Sequence, residues 1–139
     1  MNGIEYELQV AMLQRLKNSP LINIPIYDDL PDMITYPYIS IDEINALPYR
    51  SKTFEGLEVS AVLSVLTDKG GQGANKKYQA AIRAALYKPL VLREGHEIHT
   101  QEYENSRTLE FTLDESPLTS IKQGVLSFRF KIKEGSQAT

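Results

Sequence analysis

The sequence predicts an α+β fold: a mainly antiparallel sheet of about four strands with two helices packed on one face. Three observations point there. Two segments repeat apolar residues at three- and four-residue steps, and several others alternate apolar with polar residues. The order by type is α-β-β-α-β-β, with room for one extra short strand. Helices grouped against one side of an antiparallel sheet are the usual layer solution for that order.

In chain order, Ile4, Leu8, Ala11, Met12, Leu13 and Leu16 recur at helical spacing over about residues 3–18. Glu5, Glu7, Gln9, Gln14, Arg15 and Lys17 are left for the solvent side. Acids in the first turn and Arg15 and Lys17 in the last suit the helix dipole, and Asn18-Ser19-Pro20 ends the helix. Residues 21–35 hold Pro25, Pro31 and Asp28-Asp29, so only a short extended piece fits at 24–27. Residues 36–44 are rich in aromatic and β-branched side chains and read as the first main strand. Residues 45–56 contain Pro48, Arg50 and Lys52 and few apolar groups. They read as a long exposed loop, expected to be disordered because little burial offsets the entropy of fixing it.

Residues 56–87 organise the rest. Leu57, Val59, Ala61, Leu63 and Val65 fall at every second position and share one strand face. Glu58, Ser60 and Ser64 lie on the other, interrupted by Val62 and Leu66. An 11-residue strand over 57–67 spans ~36 Å, against a radius of gyration of ~14 Å for a chain this long, so a bend or a projecting end is expected. The glycine turn 70–73 follows. Ala74, Tyr78, Ala81, Ile82, Ala85 and Leu86 then mark a second amphipathic helix, with Lys76, Lys77, Gln79, Arg83 and Lys88 in water and Pro89 as its stop. Residues 97–104 read as a strand, 107–113 as a further extension, and 114–123 as a loop. Leu126, Phe128, Phe130 and Ile132 alternate cleanly with Ser127, Arg129, Lys131 and Lys133, a half-buried strand. Residues 1–133 form one expected domain and 134–139 a small polar tail.

At 139 residues the chain can bury a core without staples, and with no cysteine it has neither disulfides nor thiolate metal sites. No run of 18 apolar residues is present and the N-terminus lacks signal-peptide order, so a soluble protein is expected. A net charge of −3 offers no long-range attraction for phosphate backbones, so sequence-specific nucleic-acid binding is not expected.

Candidate chemistry is sparse. His96 and His99 are three apart, which on a strand points them to opposite faces, so one ion cannot be gripped by both. The glycine turn 70–73 could cradle an anion at a helix start, yet it matches neither a P-loop nor a dinucleotide turn. Asp28, Asp29 and Asp32, and likewise Asp42-Glu43, read as solvated acids with no base, nucleophile or metal partner at useful spacing. No enzyme, metal or cofactor is expected. Tyr36, Tyr38 and Tyr49 suit either strand packing or a protein interface. The helices occupy one sheet face, so Val62, Leu66 and Tyr103 on the other are expected to meet a neighbour. Tyr49, Arg50, Lys52 and Phe54 of the long loop join Val62 and Leu66 as candidate interface residues.

The succession Leu13-Gln14-Arg15-Leu16-Lys17, Ile26-Tyr27-Asp28-Asp29-Leu30-Pro31, Tyr36-Pro37-Tyr38-Ile39, Glu55-Gly56 before the long strand, and Ala81-Ile82-Arg83-Ala84-Ala85-Leu86 after a glycine-rich loop resembles a known family. It is that of the tail completion proteins of long-tailed bacteriophages, also called tail terminator or tail-to-head joining proteins. The resemblance runs over about residues 8–133. It implies a structural, non-enzymatic virion protein of phage or prophage origin, assembled in the bacterial host cytoplasm. Such subunits close into rings, commonly hexamers, at the head-proximal end of the tail. There they end tube growth and offer a joining surface, so the implied partners are further copies of the chain, the tail tube protein and the head-tail connector. A head-tail adaptor or stopper, or a small anion-binding module using the 70–73 turn, are the alternatives.

Overall fold

The computed structural model describes residues 3–50, 55–68, 71–113 and 116–135. Its elements are α1 (Ile4–Lys17), β1 (Ile26–Tyr27), β2 (Tyr38–Arg50), β3 (Glu55–Thr67), α2 (Gly71–Ala85), β4 (Glu97–Leu113) and β5 (Ser116–Lys133). The strands form one five-stranded sheet in the order β1-β2-β3-β5-β4, antiparallel except for β1 against β2. The fifth strand is β1, the short extended piece expected near 24–27.

Both helices lie on one face. α1 packs on β1 and β2, α2 on β3, β5 and β4, and the helices touch each other. The apolar stripes of α1 (Leu8, Met12, Leu16) and α2 (Ile82, with Leu86 just beyond it) enter one cluster with Ile39, Ile41, Val59, Leu63, Val65, Leu126, Phe128, Phe130 and Ile132. These strand residues share a face through period-two alternation. Burying each large side chain is worth about 1.5–3 kcal/mol relative to leaving it in water. Arg15 serves a helix other than its own: its Nη1 donates to the carbonyls of Ala85 (3.0 Å) and Lys88 (2.9 Å), and Nη2 to that of Pro89 (3.2 Å). It thereby satisfies acceptors at the α2 C-terminus, where the dipole favours a cation.

Polar residues also enter this layer. Asn75 Nδ2 donates to the carbonyls of Val65 and Lys122 (3.0 Å each) and lies 3.1 Å from Thr67 Oγ1. Gln79 Nε2 donates to Asn75 Oδ1 (2.7 Å) and Thr108 Oγ1 (2.9 Å). Both side chains are buried, whereas the amphipathic stripe of the sequence places Gln79 in water. They sit directly over Gly124 of β5, where a Cβ would overlap Asn75 Oδ1 and Gln79 Nε2. Glycine there lets α2 approach the sheet closely enough for its amides to reach strand carbonyls.

Several expectations change. Tyr103, expected on the face away from the helices, pairs with Phe128 at 5.6 Å between rings and lies under Arg83 of α2, on the helix face, because the bulge at Glu104 reverses the alternation of β4. The loop expected at 45–56 is mostly strand: β2 runs on to Arg50 and pairs with β3 down to Arg50↔Glu55, leaving only 51–54 outside the described residues. Ladder bonds to β3 order it despite its exposure. The two pieces at 97–104 and 107–113 are one 17-residue strand, β4, whose irregular positions fall at His99 and Glu104. Each bulge shifts the alternation by one residue, which disguises continuity in the sequence. The loop expected at 114–123 belongs to β5 from Ser116 onward. The tail expected at 134–139 is described as far as Gly135: Glu134 N–H donates to Glu55 O (2.9 Å) and Gly135 N–H to His96 Nδ1 (2.8 Å). Among the described residues no helix is long and apolar enough to cross a membrane.

Candidate assembly surface

The sheet face opposite the helices is built from the alternate residues of the same strands. Glu58, Ser60, Val62, Ser64 and Leu66 of β3 face it, flanked by Gln123, Val125, Ser127, Arg129 and Lys131 of β5. Val62, Leu66, Val125 and Ser127 are half-buried, whereas Leu63, Leu126 and Phe130 on the helix side are fully buried. Backbone ladders need a partner on each side, yet among the described residues β4 and the 42–50 part of β2 have none along their outer edges. Such edges are templates for further pairing. Pro48, which can donate no ladder bond, falls on one of them.

At the centre of this face a polar network replaces a second core. Ser40 Oγ donates to Asp42 Oδ1 at 2.6 Å, Ser64 Oγ makes a short bond to Asp42 Oδ2, and Gln123 Nε2 donates to Ser64 Oγ at 3.1 Å. Asp42 occupies the irregularity between Ile41 and Glu43, which turns its carboxylate onto Ser64 across the strand pair. A shallow cavity of about 410 Å³ opens beside it, lined by Asp42, Glu43, Val62, Asn105, Arg107, Val125 and Ser127. One wall is acidic, the other carries Arg107, and the floor is apolar. At its margin the Tyr38 ring lies 5.7 Å from Tyr36 and 5.9 Å from Tyr27. Burial, then the neighbouring Tyr36 and Asp42, pushes the Tyr38 hydroxyl above the usual phenol range. Nearer the far end, Arg129 lies 3.5 Å from Glu58 and 3.2 Å from Glu104.

Four of the six expected interface residues are among the described residues, along this face and its rim. Val62 lines the cavity and Leu66 stands half-buried beside Tyr38. Tyr49 carries Lys131 Nζ 5.4 Å above its ring, and Arg50 lies 3.7 Å from Glu55 with both side chains largely in solvent. Lys52 and Phe54 lie outside the described residues. Sequence reasoning missed Ser40, Asp42, Ser64 and Gln123 as a set, reading Asp42 as a solvated acid. The available signal was the apolar phase of β2, odd at Ile39 and Ile41 and even at Ile44 and Ala46, which places a bulge at 42–43.

Other candidates stay apart. His96 is buried at the end of β5 through its bond from Gly135, and His99 sits in the first β4 bulge. Among the described residues no three or more His, Cys, Asp or Glu side chains gather to hold a metal ion. Gly71 and Gly73 belong to the first turn of α2, and Gly70 lies outside the described residues.

The sequence model of the family described as "Tail completion protein gp17" matches residues 10–133, which take in the whole sheet, α2 and the second half of α1. The chain belongs to that family. This tail completion protein shares its fold with a chain of the "Virion of native gene transfer agent (GTA) particle", at TM-score 0.79 and 23% identity over 96% of this chain and 99% of that one. It is also similar to the gp17 protein of bacteriophage SPP1, at TM-score 0.54 and 20% identity over 96% of this chain and 94% of that one. No curated protein sequence matches it. The tail completion protein is thus a structural phage protein with a tail-joining role.

Proposed function

We propose that this tail completion protein closes into a homo-oligomeric ring at the head-proximal end of the phage tail. The ring ends growth of the tail tube and presents the surface to which the head connector joins. The observation that carries the reading is a sheet covered by helices on one face only, with the outer edges of β4 and of the 42–50 part of β2 unpaired among the described residues. A head-to-tail contact through two different surfaces of one subunit generates a ring when its rotation closes. Half-buried Val62 and Leu66, with Tyr49 and Arg50 at the hairpin end, lie where a neighbour or the tube would press. Six copies is the number that the family resemblance implies. The role is structural, with no catalytic step.

Mass in solution and particle morphology test it. The purified chain is expected to shift from monomer to one discrete ring as concentration rises or tail tube protein is added. Particles lacking it are expected to show overlong tails or separate heads and tails. A chain that stays monomeric at every concentration, ignores tube protein, and whose loss leaves tail length and joining intact sinks the reading.

A further inference from the structure

One row of the sheet crosses all five strands: Ile26↔Ile39, Ile39↔Val65, Val65↔Gly124 and Gly124↔Thr108. Four strand spacings put its ends ~19 Å apart. The two ends carry opposite charge. At the β4 end a polar cavity of about 470 Å³ is lined by Lys76 and Arg83 of α2 and the hydroxyls of Ser106 and Thr108, with no acid among its lining residues; Arg107, between those two, pairs with Val125 and belongs by register to the bare face. Arg83 is steadied by the Tyr103 ring at 5.4 Å. The nearest β4 carboxylates are already engaged, Glu110 by Lys122 at 3.1 Å and Glu104 by Arg129 at 3.2 Å. At the β1 end the chain leaves Tyr27 into an exposed segment carrying Asp28, Asp29 and Asp32. Among the described residues none of these three acids lies in an ion pair; Asp28 accepts one bond, from Gln9 Nε2 at 3.3 Å. Met33 in that segment is 88% exposed and Leu30 47%, while Leu109 and Phe111 on β4 are each 40% exposed.

We propose that the acidic segment following β1 of one copy docks into the Lys76–Arg83 cavity of the next, with Leu30 and Met33 set against the apolar residues of β4. The inference rests on the ring reading and names its contact. The acidic segment leaves the β1 end of this row and the Lys76–Arg83 cavity opens at its β4 end, so a sideways step from copy to copy brings opposite charges together. A contact of two different surfaces is the head-to-tail kind that a ring requires. Opposite charge across it sets register and rejects wrong approaches.

Reciprocal charge reversal tests the contact. One variant carries Lys76→Glu and Arg83→Glu, the other Asp29→Lys and Asp32→Lys, and association is followed by sedimentation and native mass spectrometry. Each variant alone is expected to lose at least about tenfold in association. An equimolar mixture is expected to regain it, through rings in which the variants alternate; that recovery also shows that both fold. If each variant alone assembles as the unaltered chain does, the contact is wrong while the ring stands. Variants that assemble normally but lose affinity for a double-stranded DNA fragment assign the cavity to phosphate and overturn the proposal. Loss by both variants without recovery on mixing also overturns it. An unaltered chain that never self-associates removes contact and ring together.

Discussion

The two faces of this sheet come from the same strands, one residue apart, and they differ in what finishes them. Along β5, Leu126, Phe128, Phe130 and Ile132 are sealed on the helix side, while Val125, Ser127, Arg129 and Lys131 stay half-open. The helix side is closed by apolar interdigitation and by the Asn75–Gln79 amides. The bare side is closed by hydrogen bonds among Ser40, Asp42, Ser64 and Gln123 and by ion pairs at Arg129. One face therefore secures the fold, and the other tolerates water until something covers it. An apolar second face would have invited indiscriminate association.

The largest expected effect comes from treating the faces alike. Phe128→Ala removes a fully buried ring from the helix side and is expected to cost about 3–5 kcal/mol of stability in urea denaturation. Val62→Asn, on the neighbouring strand but the other face, is expected to cost about 1 kcal/mol or less. Val62→Asn should instead weaken self-association measured by sedimentation. Equal losses of stability would mean that the bare face is as much a core as the other.

The helix-bearing face was legible because its signals are periodic. Leu8, Met12 and Leu16 on one helix, Ile82 and Leu86 at the other, and the alternation around Leu63 and Phe128 each fix a face without knowledge of the partner. The bare face was partly legible: Val62 and Leu66 stood out as apolar residues at polar phase. Its network was not, because Asp42 gains Ser64 only through a bulge and a strand pairing 22 residues away in sequence. The long β2 arm was misread for a related reason. Pro48 and the charged residues around it carry loop chemistry, and only the ladder to β3 makes them strand. Asn75 and Gln79 were missed because an amphipathic stripe sorts amides to the water side. Gly124, the one residue without a side chain in the alternation of β5, was the clue.

That glycine gives the next test, smaller than loss of a ring. Gly124→Ala places a methyl against Asn75 Oδ1 and Gln79 Nε2, both held by further bonds. The expected cost is about 1–3 kcal/mol. In the double variant with Gln79→Ala the two costs should add to less than their sum, since the space vacated by the amide receives the methyl. Full additivity in thermal melts would show that α2 does not press on the sheet at this point.

The smallest effect concerns the exposed Glu110 carboxylate and its part-buried partner Lys122, beside the helix face. Ser120 Oγ donates to Glu110 Oε1 at 2.7 Å and Lys122 Nζ lies 3.1 Å from the same oxygen. The Ser120 bond first, then Lys122, holds the Glu110 carboxyl below the usual range. A folded-state value depressed in this way contributes stability that is fully present above the unfolded value of about 4.3, and the contribution disappears as pH falls through the lower folded value. Glu110→Gln has no such titration. The unaltered chain should therefore exceed the variant slightly in urea midpoint at neutral pH, and the gap should close in acid, below about pH 4. Added salt should shrink the neutral-pH gap, because the exposed Glu110 carboxylate is screened. A gap that persists unchanged in acid would trace the difference to packing of the side chain and not to its charge.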